Sequence, residues 1–238
     1  MSEWAKFGRV FRARFAGKSL LGIIGVFRVS ILLTALVIFL GRLTQGDSAE
    51  EYAPTLDRFG LSWQLIRDGK LWHIFTGSLI QSDSGIALSM ILLVSLSLIP
   101  CELLAGHRYT IATFFLCDWI ASFCSVIALR VLAAWSVGDA RNLLSLPDAG
   151  SSAASHGCLA VACTLLPGRL AWGAYGLMLG ITVGLLFQQD LDAAVAHLFA
   201  VLAGGLLGGL VWKPRLARAT AESARNYGPD YPSLSDLE

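Results

Sequence analysis

Two side chains in this chain could perform acyl transfer together. Ser152 stands in DAGSSAASHGCLAVA, residues 148–162, where Gly150, Ser151, Ser155, His156 and Gly157 crowd the start of an apolar run. His197 stands in AAVAHLFAVLAGG, residues 193–205. A hydroxyl at its free pKa is a weak nucleophile, and an imidazole within hydrogen-bonding reach takes its proton as the oxygen attacks. The same residue types have plainer uses. A serine among small residues can let helices pack closely or bond back to its own helix. A single buried histidine can equally be structural. The choice turns on whether the elements carrying the two residues meet at one depth.

Those elements are apolar throughout. Of the 238 residues 55% are hydrophobic and 15% charged, and the mean hydropathy is +0.63. A soluble domain carries about 25% charge, so the composition predicts an all-α, polytopic membrane protein. A net charge of +1 gives no bulk basicity for nucleic acid. Cys101, Cys117, Cys124, Cys158 and Cys163 all lie in apolar runs without a CxxC pair. They read as small buried hydrophobes rather than disulfides or metal ligands, and no metal or cofactor is expected. The first apolar run is long and lacks a small-residue cleavage site, so a cleavable signal peptide is not expected.

Six spans are predicted near 22–43, 85–105, 109–132, 147–166, 170–188 and 193–212. AGHR at 105–108, LPGR at 166–169 and QQDLD at 188–192 separate the later ones. Lys6, Arg9, Arg12, Arg14 and Lys18 precede the first span, and Lys213, Arg215 and Arg218 follow the last. Acidic residues, from Asp47 to Asp148, Asp190 and Asp192, fill the alternate loops. The positive-inside rule then places both termini in the cytoplasm, as in a bacterial plasma membrane. The division expected is a basic cytoplasmic segment 1–21, a membrane domain 22–212 and a polar cytoplasmic tail 213–238. Trp4, Phe7, Phe11 and Phe15 suggest an amphipathic helix on the inner leaflet, with a basic tail the plainer reading. Trp63, Trp72, Phe59 and Phe75 suggest that the outer loop 44–84 lies in the interface.

Depth can now be compared. With span four starting near Pro147, Ser152 lies five residues in, about 8 Å. With span six starting near Ala193, His197 lies four residues in, about 6 Å. Both spans run from outside to inside, so the two residues share a level near the outer face. The spacing Gly150-x-Ser152-x-Ala154-x-x-Gly157 and Ala196-His197-x-x-Ala200-x-x-x-Gly204 would let the two backbones approach closely.

With these motifs the chain resembles the rhomboid family of intramembrane serine proteases over about residues 20–212. Trp72 and Thr76 are similar to the start of that family's membrane-embedded first loop, and Glu102 and Gly106 to the close of its second helix. The resemblance implies a six-helix bundle in which Ser152 is the nucleophile and His197 the general base, with no third acid. The partners implied are transmembrane-helix substrates within the lipid bilayer, cleaved near the outer face.

Several positions depart from the family pattern. Ala153 replaces a glycine, His156 an aromatic residue, Ala200 a glycine and His73 an arginine. In the second span, Gly85 and Ser89, or Ile86 and Met90, stand where a histidine and an asparagine help hold the oxyanion. Ser89, Gly150 and His156 are therefore the candidates for shaping the oxyanion site, and Gly157, Ala200 and Gly204 for helix packing. His156 lies one turn after Ser152, placed to stack on His197 or to supply a donor. Asp118 and Glu102 read as pairing or helix-capping residues, with a proton or ion path the other use of Asp118. Two other functions stay open: an inactive relative that binds transmembrane clients, and a small transporter. A transporter would show internal repeats, and none is visible.

Overall fold

The computed structural model describes Gly8, Arg12 and residues 15–44, 49–80, 87–187, 191–218 and 221. The stretch 4–18 expected to be amphipathic and the tail beyond Arg218 lie largely outside them, as do Gly85 and Ile86. The described residues form an all-α structure. Its helices are α1 (Leu20–Val26), α2 (Arg28–Thr44), α3 (Ala49–Phe59), α4 (Trp63–Arg67), α5 (His73–Gly77) and α6 (Ala87–Ala105). They continue as α7 (His107–Ala134), α8 (Ala140–Leu143), α9 (Ser152–Leu165), α10 (Arg169–Leu185) and α11 (Leu191–Leu206). A π-helical turn, Leu207–Trp212, prolongs α11, and helix continues to Arg218.

Two helices, α7 and the continuous Leu191–Arg218, have 28 residues each and are long and apolar enough to cross a membrane. A third span is made if α1 and α2 count together, although they meet at 70°. The expected straight run over 22–43 therefore breaks at Phe27. The break is chemically supported: the freed amides of Val29 and Ser30 donate to the Glu102 carboxylate at 2.9 and 2.7 Å. Trp172, Phe187 and Leu210 are 79%, 85% and 71% exposed. Large apolar surface of this kind suits a hydrocarbon solvent better than water.

Helix α9 sits at the centre, against α6, α7, α10 and α11. Glycine makes this possible. A Cβ on Gly204 would lie 2.4 Å from the Gly157 carbonyl oxygen, and one on Gly157 would lie 2.2 Å from the Cys117 Cβ. Both distances are far inside van der Waals contact, so α9 is wedged between α7 and α11 only because neither position carries a side chain. Ala200, fully buried, packs with Ala121, Ala153 and Ala196 at the same interface. Packing by small residues is the expected cohesion of helices in a bilayer, where apolar burial gives no net drive.

The start of α9 differs from the sequence expectation. Pro147 does not open the helix; the first helical residue is Ser152. Asp148 instead exchanges two backbone hydrogen bonds with Leu61, both 2.8 Å, and the Gly150 amide donates to the Gly77 carbonyl at 3.0 Å. Gly150 has φ +151°, a conformation strained for any residue with a side chain. The fourteen residues of α9 span about 21 Å. The irregular backbone before it needs partners wherever water is excluded, and Leu61 and Gly77 supply them.

Candidate functional site

Ser152 is the first residue of α9, and His197 lies in the second turn of α11. The close contact at Gly157 and Gly204 brings these two helix ends together. The Ser152 hydroxyl and His197 Nε2 are hydrogen-bonded across 3.0 Å. The hydroxyl donates when the His197 proton sits on Nδ1, and that nitrogen has no partner among the described residues. His197 is 7% exposed. Among the described residues no carboxylate stands behind the imidazole, so the pair is a two-member unit.

His156 completes the arrangement from the serine's own helix. Its ring stacks on that of His197 with centroids 4.0 Å apart and planes 17° from parallel. Its Nδ1 donates to the Ser152 carbonyl oxygen at 2.8 Å, a bond that a carbonyl can only accept. In the neutral ring that engagement leaves Nε2 as an acceptor. His156 thus stacks on His197 while its Nδ1 is engaged by the Ser152 carbonyl, which leaves Nε2 as its free ring nitrogen.

A cavity of about 180 Å³ opens beside the pair. Gly150 and Ala153 line it next to Ser152, and His73, Asp148 and Asp192 line it from other segments. A Cβ at Gly150 would stand 3.9 Å from the Ser152 oxygen, so the glycine is required here by its backbone angle more than by space. Ser89 lies in α6 within a stretch whose side chains fall outside the described residues.

No family model matches the chain, and no curated protein or solved structure matches it.

Other residues support the site without reaching it. Asp118, 2% exposed, accepts from the Ser78 hydroxyl and interacts with the Ala154 amide in the first turn of α9. It therefore ties the end of α5 to the helix that carries Ser152. The capping role expected of Asp118 fits these contacts. Thr76 fastens the same loop by donating to the Phe59 carbonyl at 2.7 Å. The sequence reading gave Asp148 and Asp192 only as outer-loop charges, and it gave His73 only as a departure from a family pattern. Their signal was weak but present: each lies within five residues of Ser152 or His197, or next to Trp72.

Proposed function

We propose that this chain is an intramembrane serine endopeptidase of rhomboid type, acting on transmembrane helices near the outer face of a bacterial plasma membrane. The hydrogen bond from the Ser152 hydroxyl to His197 Nε2, beside a cavity, carries the reading. In this reading α1–α2, α6, α7, α9, α10 and α11 are the six spans, with both termini in the cytoplasm. The basic residues flanking the first and last spans support that orientation.

Ser152 Oγ attacks a substrate carbonyl carbon while its proton passes to His197 Nε2. The tetrahedral intermediate collapses by expelling the amine, which takes the proton from Nε2, and leaves an acyl-Ser152 ester. Water, deprotonated in turn by Nε2, hydrolyses the ester and restores the hydroxyl. The stacked His156 ring holds His197 in the orientation the transfers need. Ser152 stands at a helix N-terminus, whose positive dipole end favours a developing oxyanion. A substrate helix must expose a peptide bond that is otherwise hydrogen-bonded, so segments with weak helix propensity are favoured.

Purified protein incubated with a transmembrane reporter should cleave it, and Ser152→Ala should abolish cleavage. A fluorophosphonate should label Ser152 in the wild type alone. Equal product from the alanine variant, or no product from either protein with any reporter, would overturn the peptidase reading.

A further inference from the structure

We propose that the cavity beside Ser152 is a subsite for a cationic side chain, lysine or arginine, adjoining the bond that is cleaved. The inference rests on the peptidase reading above and names its substrate class.

Besides Ser122 and the serine–histidine pair, three acceptor-bearing side chains line this cavity, and among the described residues no lysine or arginine does. Asp148 precedes Ser152 by four residues and Asp192 precedes His197 by five. Each carboxylate is thus fixed in the frame of one member of the serine–histidine pair. The backbone of Asp148 is held by its paired bonds to Leu61, and Asp192 Oδ1 accepts from the Ala193 amide at 2.8 Å. The third group is independent of these acids. His73 is 3% exposed, lines the same cavity and has no partner for Nδ1 among the described residues. A buried polar atom without a partner is uncommon and marks a place where a ligand or water completes the site.

Electrostatics agree with the geometry. Asp148 stands before α9, outside the helical spans; burial first, and the Asp192 charge second, push its carboxyl up to about 6. The two acids therefore oppose each other, with no lysine or arginine among the described residues lining the cavity between them. Burial, aided by the charge of Lys70, holds His73 below the usual histidine range, so this ring adds no positive charge at neutral pH. An ammonium or guanidinium entering the cavity would form charge-assisted bonds with acceptors that an apolar side chain leaves desolvated.

The test uses full-length protein in nanodiscs and a set of transmembrane reporters. They differ only in the residue on either side of the scissile bond, which is lysine, arginine, methionine or glutamate. Comparison with Ser152→Ala first establishes that cleavage depends on the serine. The lysine and arginine reporters should then be cleaved with kcat/KM about tenfold above methionine, and glutamate should be the poorest. In Asp148→Asn with Asp192→Asn the ratio of lysine to methionine should collapse toward one. Asp192→Asn alone, which leaves the Leu61 pairing untouched, should reduce it partway. Serine-dependent cleavage with equal rates for lysine and methionine, or a preference that survives both asparagine substitutions, would overturn the subsite while leaving the peptidase. Absence of serine-dependent cleavage with every reporter would remove both.

Discussion

Two buried polar centres of this molecule are built on opposite principles. Near the C-terminal end of α6, Glu102 is fully buried and accepts from four donors: the Val29 amide, the Ser30 amide and hydroxyl, and His107 Nδ1, at 2.9, 2.7, 2.5 and 2.5 Å. Around Ser152 the polar atoms are incompletely matched, with His197 Nδ1 and His73 Nδ1 both lacking partners among the described residues. A saturated carboxylate at a helix N-terminus stabilises the bend between α1 and α2 through hydrogen bonds and the helix dipole. Unmatched groups beside a cavity cost stability, and they are left available to a substrate. The difference separates a polar group that holds the fold from polar groups that can do chemistry.

Substitution at each centre sharpens that contrast. His197→Ala removes the proposed general base, so reporter cleavage should fall by more than about 10³-fold while thermal unfolding in detergent changes little. Glu102→Ala should behave in the opposite way. It leaves several buried donors unpaired and uncaps α2, with an expected destabilisation of about 3 kcal/mol. The fraction that remains folded should keep a near-normal kcat. A Glu102→Ala protein that is as stable as the wild type but inactive would break the comparison, because it would make the inner centre functional as well.

The same two centres show how far the sequence could be read. The depth comparison of Ser152 and His197 assumed a helix start at Pro147, which the structure moves to Ser152; the small-residue spacing at Gly157 and Gly204 was visible because helical periodicity alone fixes it. The contact of those two glycines in the structure follows directly from that spacing. The 70° bend at Phe27 was not visible, since Glu102 stabilises it from more than seventy residues away. Likewise Pro147 suits a first helical position, yet the outer loop captures Asp148 and Gly150 and delays the helix to Ser152. Hydropathy reports which residues avoid water. It does not report which backbone groups a distant segment will satisfy, and both misplaced boundaries arise there. The acids of the cavity were hidden for a similar reason, because a loop aspartate and a cavity aspartate read alike until the chain folds.

His156 gives the smallest and most discriminating effect, because it joins the two principles in one side chain. Its stack on His197 orients the reactive ring, and its Nδ1 bond to the Ser152 carbonyl satisfies a backbone group. His156→Phe keeps a flat ring in the stack and loses only the hydrogen bond, so kcat should fall no more than about threefold with KM unchanged. His156→Ala loses the ring as well and should lower kcat by about tenfold, again with little change in KM. Equal losses in the two variants would mean that the imidazole nitrogens matter and the stack does not, which would return His156 to the oxyanion site. Wild-type rates in both would show that His197 is held without it, leaving the Ser152 hydroxyl bond as sufficient orientation.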